Sequence, residues 1–275
     1  MTSKKELLTT TALPAVVDFT GHGTGLGKTL LAKTAALVYQ QAGYDVTMVR
    51  IESKNITHRE ADTDIFIPTE NFAQAATLVG GLAGVLDPLF ETIKNIKLGK
   101  SAIIIDWGGG LADHRSHIFT ATQFGERVTE MGISAASVIA TTNAANDMAQ
   151  AAALLRTSAM IAPNLTRCLA LNRRRGSFVF LDGSEQGRIY SRLRDEARDA
   201  RTFEVRAVGG ESWKVCDEVG LTMPQVIQSD LGALSARIGR NAFIAGACQI
   251  EVAAWYSATE AELLRALALP NAAKS

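Results

Sequence analysis

The chain has 275 residues, 47% of them apolar, and its 28 Lys+Arg are matched by 28 Asp+Glu. That length suits one large α/β domain or two small ones, with apolar residues enough for a sizeable core. Zero net charge excludes polyanion binding through bulk charge, so any nucleic-acid contact has to come from a local patch.

Residues 1–12 form a polar tail without the apolar segment of a signal peptide. No run approaches the ~18 apolar residues that a membrane span needs, so a cytoplasmic protein with no membrane partner is expected. Ala15–Thr20 reads as a short buried strand. A glycine-rich turn follows, then a helix over 28–41 that stops at Gly43. Strands are predicted at 46–51 and, briefly, 65–68. The stretch 71–97 has helical spacing at Leu82, Val85, Leu86, Leu89, Phe90 and Ile93, and the glycines near 80 predict a break into two helices. Residues 101–106 form a strand too apolar to have a wet face. Helices at 114–131 and 144–158 flank a strand at 136–141. A strand at 166–171, a helix at 185–201 and a last strand at 203–208 follow, and helices fill much of 222–267. Alternating strands and helices predict an α/β fold, a mostly parallel twisted sheet with helices on both faces. No repeat or linker divides the chain, so one domain over 1–275 is expected.

Residues 20–29 read Thr-Gly-His-Gly-Thr-Gly-Leu-Gly-Lys-Thr, between the first strand and the first helix. Gly23, Gly25 and Gly27 let the backbone turn its N–H groups inward around an anion, with Thr24 and Leu26 in the same cradle. The helix that follows adds the positive end of its dipole. Lys28 is placed to reach the β- and γ-phosphates, the Thr29 hydroxyl to ligate Mg²⁺, and the Leu30 N–H to reach the α-phosphate. The loop departs from a strict phosphate-loop pattern at His22, where the first glycine is expected. The competing reading is a glycine-rich turn that happens to precede a lysine. The strand–loop–helix context favours the phosphate site and a P-loop NTPase. The expected bound species is ATP with Mg²⁺, with GTP as the alternative; the lack of an Asp after Asn172, as in the guanine-reading Asn-Lys-x-Asp motif, favours ATP.

Three residues at predicted strand ends are candidates to serve this loop, because ligands bind at the C-terminal edge of parallel strands. Asp106 ends Ile103-Ile104-Ile105-Asp106 ahead of Trp107 and three glycines, as a metal-side carboxylate followed by a phosphate-sensing turn would. Glu52 closes the second strand, either near the magnesium and the attacking water or as an ordinary surface residue. Asn172 ends another strand, where its amide can donate and accept toward an adenine edge, or simply make a turn. The catalytic candidates are therefore Lys28, Glu52 and Asp106, and the metal candidates Thr29 and Asp106.

Gly27-Lys28-Thr29, Glu52, Asp106 with its glycines, and Asn172 together resemble the ParA/MinD branch of P-loop ATPases over about residues 13–210. The resemblance implies a weak, partner-stimulated ATPase. It also implies an ATP-driven homodimer that binds non-specific DNA or a protein partner, in plasmid maintenance, conjugative transfer or cargo positioning. It implies that Glu52 stands where an Asp helps place the attacking water, and that Asn172 falls near an adenine-reading Asn. The signature lysine of that branch is replaced by Gly23, with His22 and Arg50 as candidate substitutes. The loop also looks like that of the dethiobiotin synthetase type, an ATP-dependent carboxylase/ligase. Asp106-Trp107 in place of a Glu-Gly pair and the additional C-terminal helices count against it. A nucleotide switch without hydrolysis is a third reading. Nitrogenase iron protein is excluded by the positions of the cysteines.

Eleven arginines against six acidic residues fall between Arg156 and Arg206. Arg173, Arg174 and Arg175 follow a strand at the ligand edge. Arg188, Arg192, Arg194, Arg198 and Arg201 are interleaved with acids, as a solvated helix would be. Arg237 and Arg240, with few acids near, are the better candidates for non-specific DNA contact, together with Arg173. Phe243–Trp255 is predicted to be core packing or a dimer interface, lacking the basic polar side of a membrane-surface helix. His58, His114 and His117 have no metal spacing, and Cys168, Cys216 and Cys248 form no Cys-x-x-Cys pair.

Overall fold

A computed structural model describes residues 12–53, 64–209 and 211–269. The rest of the polar tail, residues 1–11, and His58 lie outside the described residues. The strands are β1 (Val16–Thr20), β2 (Asp45–Glu52), β3 (Ile65–Pro68), β4 (Ser101–Trp107), β5 (Ala135–Thr141), β6 (Thr166–Asn172) and β7 (Arg201–Val205). They form one seven-stranded sheet in the order β3-β2-β4-β1-β5-β6-β7. Every pairing is parallel. The fold class is α/β, with helices on both faces of the sheet.

Strand parity decides which side chains meet which layer. One face carries Val17, Phe19, Ile104, Val138 and Ala170. It is covered by α1 (Lys28–Gln41) and by the C-terminal helices α7 (Ser212–Glu218), α8 (Met223–Gln228), α9 (Leu231–Ile238) and α10 (Ala242–Leu267). The other face carries Val16, Ile103, Ile105 and Trp107 beneath α2 (Asp87–Lys94), α3 (Ala112–Ala121) and α4 (Phe124–Glu130). Further along that face, Ile139, Leu169 and Leu171 pack under α5 (Ala145–Ile161) and α6 (Glu185–Glu196). Continuous apolar strands such as AIII are thus buried from both sides, as a parallel sheet requires.

A buried charged pair lies inside this core. Asp18, on β1, is 1% exposed and takes Arg115 of α3 through Nε at 2.5 Å and Nη2 at 3.1 Å. Arg115 also donates to Ser137 on β5 at 2.7 Å and stands 4.3 Å from the Phe119 ring centroid. A buried pair persists only when its remaining donors are also satisfied, and here the serine and the ring supply that.

Several predicted boundaries shift. The 71–97 stretch is only partly α-helical: Thr69–Thr77 and Gly81–Leu86 are 3₁₀ turns, and α2 alone is regular helix. Gly80 and Gly81 adopt φ of +79° and +60°, which breaks the ladder between the two turns. The expected 114–131 helix is two helices, separated by Gln123 at φ +51°. The last strand ends at Val205 rather than 208, and helix 185–201 stops at Glu196. Among the described residues no helix is long and apolar enough to cross a membrane.

Candidate functional site

The loop from Gly21 to Gly27 leaves β1 at the C-terminal edge of the sheet and enters α1 through Gly27, whose φ is +86°. Gly25 also has a positive φ, +71°. These conformations suit glycine and turn successive N–H groups toward one concavity. Lys28 is buried, and its Nζ donates to the Gly23 carbonyl at 2.6 Å. Burial pulls its pKa below the ordinary 10.5, against the attraction of Asp106, Glu52 and Asp147.

Sheet register brings the acidic candidates to the loop. Arg50 on β2 pairs in register with Asp106 on β4. Met48, Arg50 and Glu52 therefore share the face of Ile104 and Asp106, the face that α1 covers. The Thr29 hydroxyl lies beside the Asp106 carboxylate and favours its charged form. Asp106 is 1% exposed, and burial raises its pKa above the ordinary 3.8, opposed by Thr29, Arg50 and Lys28. Its Oδ1 has no hydrogen-bond partner among the described residues. An orphaned carboxylate oxygen beside a hydroxyl is a hard donor set of the kind Mg²⁺ takes when waters and phosphates complete the shell. Thr29 and Asp106 would hold such an ion. Arg50 forms an ion pair with Glu52, and its Nε lies 3.8 Å from Asp106 Oδ2.

Asn172, at the end of β6, meets the loop from the other side. Its Nδ2 donates to the Leu26 carbonyl at 2.9 Å, and its Oδ1 accepts from the Arg174 backbone N–H at 2.9 Å. One donor and one acceptor position of the amide are thus used within the protein, leaving one of each. A Cβ at Gly27 would come 2.5 Å from Asn172 Nδ2, so this contact needs glycine there.

These residues line one cleft of about 800 Å³, the size range of small-molecule sites. Thr24–Leu31 form its floor and Arg50, Glu52 and Gly108 one wall, and Val205–Val208, Trp213 and Trp255 lie on the far side. The structure gathers Thr24, Gly25, Leu26, Gly27, Lys28, Thr29, Leu30, Glu52 and Asn172 around this space, with Asp106 buried beneath it. Neither the protein-family models nor the curated proteins contain a match to the chain.

Five contacts escape sequence reasoning. Arg174 folds back over the loop, with Nη1 3.4 Å from the Gly25 carbonyl. The glycine turn after β4 closes on the loop: Gly110 N–H donates to the His22 carbonyl at 3.0 Å, and Gly109 packs on Thr24 with no room for a Cβ. Trp255 of α10 donates to the Arg206 carbonyl at 2.7 Å. Ser212 donates to Glu251 of α10. These last two tie α10 to Arg206 and Ser212, next to the cleft-lining residues Val205–Val208, Glu211 and Trp213.

The basic candidates do not behave alike. Arg173 is paired with Glu204 at 3.2 Å. Arg201 is the first residue of β7 and donates to the Ala266 and Ala268 carbonyls at the end of α10. Arg237 and Arg240 are exposed and form no ion pair among the described residues. Next to them the 243–255 stretch is only half core. Ala245, Cys248, Val252 and Trp255 are buried, whereas Phe243 is 91% and Ile250 70% exposed. All three cysteines are buried and free.

Proposed function

We propose that this chain is a Mg²⁺-dependent ATP-binding ATPase of the ParA/MinD kind. In this reading its nucleotide state controls homodimerisation and binding to non-specific DNA or a protein partner, in plasmid maintenance, transfer or cargo positioning. One observation carries the reading: a glycine-rich loop, buried Lys28, Thr29 and Glu52 share a single cleft at the C-terminal edge of a parallel sheet, with the Asp106 carboxylate buried beneath it. A lysine held among carboxylates at a helix N-terminus is chemistry for polyphosphate and metal together. Exposed Arg237 and Arg240 support a phosphate-backbone contact, while the Arg173–Glu204 pair makes Arg173 a weaker contributor.

Nucleotide binding is testable through tryptophan fluorescence, because Trp213 and Trp255 line the cleft. Mg²⁺ with ATP is expected to change the emission, and Lys28→Ala to abolish the change. DNA binding is then measured on random-sequence duplex at low and moderate salt, with no nucleotide, with ADP and with a slowly hydrolysed ATP analogue. Binding that requires the analogue, fades with salt and vanishes in Lys28→Ala supports a nucleotide-gated DNA carrier. Absence of DNA binding at low salt removes the DNA arm and leaves a protein partner. Turnover that requires a small diamine acceptor would move the reading to the dethiobiotin synthetase type.

A further inference from the structure

We propose that Arg50 distinguishes a nucleoside triphosphate from a diphosphate, by exchanging its partner Glu52 for the γ-phosphate. The inference rests on the nucleotide reading above and assigns a role within the same site.

The cleft presents several cations, but they differ in burial. Arg174, Arg206 and Lys214 are exposed at its rim. Arg50 is 8% exposed and projects from β2 into the wall, beside the carboxylates that face Lys28. Its guanidinium is ion-paired with Glu52, and its Nε, 3.8 Å from Asp106, makes no hydrogen bond among the described residues. A buried N–H without an acceptor is costly, and a guanidinium fork suits a phosphate or carboxylate taken two bonds at a time. The group is therefore under-satisfied where a further anion would arrive.

Charge favours the exchange. Lys28 and Arg50 now balance Glu52 and Asp106. A metal-bound triphosphate adds net negative charge, and Thr29 and Asp106 are the oxygens placed for its metal. At the loop itself Gly23 brings no side chain, and its carbonyl occupies Lys28 instead. Arg50 is then the buried cation free to turn toward a terminal phosphate. Once it does, Glu52 loses its counter-ion and its carboxylate becomes an acceptor facing the cleft, able to orient a water. A diphosphate brings no γ-phosphate for Arg50 to take, so the Arg50–Glu52 pair is expected to stay closed.

The test is equilibrium binding of a fluorescent non-hydrolysable ATP analogue and of the matching ADP derivative, each with Mg²⁺. The proteins compared are wild type, Arg50→Gln, Arg50→Lys, Glu52→Gln and Lys28→Ala. Wild type is expected to prefer the triphosphate. Arg50→Gln should weaken the triphosphate about tenfold or more, the worth of a charge-assisted hydrogen bond, while the diphosphate stays within about twofold. Arg50→Lys should restore part of the preference. Glu52→Gln removes the competitor and should raise the preference above wild type. Equal losses for both nucleotides in Arg50→Gln, or an unchanged ratio, overturn the proposal. If Arg50→Gln does not fold, Glu52→Gln decides, and an unraised ratio there overturns it too. Loss of both nucleotides in Lys28→Ala, with wild-type binding intact, shows that the nucleotide reading stands whatever Arg50 does. A wild type that binds neither nucleotide ends both readings.

Discussion

The side-chain amide of Asn172 donates to the main-chain carbonyl of Leu26 at 2.9 Å, so the end of β6 holds the glycine loop in place from one side. The same amide accepts the Arg174 N–H, which directs the arginine back across Gly25. Asn172→Ala is expected to cost about 1 kcal/mol of stability, the worth of an ordinary hydrogen bond. Its effect on affinity for Mg²⁺-ATP should be larger, because the loop loses its brace. Chemical denaturation and calorimetric titration on the same samples separate the two. Unchanged affinity would show that the brace is not needed for binding.

The contact between Gly109 and Thr24 leaves no space for a methyl group on Gly109. Gly109→Ala should therefore displace the loop and lose nucleotide binding while the sheet remains folded. Thr24→Gly in the same chain removes the opposing methyl and should restore binding. A double variant that binds no better than Gly109→Ala would mean that the glycine is needed for its backbone rather than for this packing.

Asp106 gives the nucleotide-free protein a defined pH dependence. Burial raises its folded-state pKa above the ordinary 3.8, so the folded form holds the proton more tightly than the unfolded chain does. The stabilisation is complete below the unfolded value and is lost as pH rises through the folded one. At neutral pH the buried carboxylate is then a net cost. Asp106→Asn, which resembles the protonated form, should melt higher than wild type at pH 7 without nucleotide, with the gap closing toward acid pH. Under the proposed function it should also lose the stabilisation expected of wild type with Mg²⁺-ATP. A lower melting temperature at pH 7 would mean that attraction to Arg50 and Lys28 outweighs burial.

Asp18 and Arg115 are a pair whose partners cannot be removed singly without leaving a buried charge. Arg115→Met should cost about 3–5 kcal/mol. The double variant Asp18→Val/Arg115→Met should recover most of that loss, because apolar replacement of a whole buried pair is often neutral. Urea denaturation of the four proteins gives the coupling, and additive losses would contradict it.

The parts of this site carried by contiguous residues are legible in the amino-acid sequence. The glycine loop lies within ten positions, and Asp106 announces itself as a carboxylate at the end of an unbroken apolar strand. The approach of Arg50 to Asp106 depends on β2 pairing with β4, strands that a long crossover separates along the chain. Arg174 over Gly25 and Trp255 against Arg206 depend on tertiary packing in the same way. Helix α7 leaves no periodic signal because it is only 7 residues long. Asp18, in contrast, is a readable anomaly: a charge within Val16-Val17-Asp18-Phe19 implies a buried cation somewhere, though not which one.

The Asp18–Arg115 lock also fixes where motion can occur at the glycine-loop end of the cleft. Trp107, fully buried, ends β4 on one side, and Arg115 clamps α3 to β1 and β5 on the other. Between these two anchors the chain has only the Gly108–Gly110 turn and the first residues of α3 with which to respond. An arriving ligand therefore meets a short tether between fixed posts, and its displacement is taken up as peptide rotations within three glycines rather than as travel of a helix.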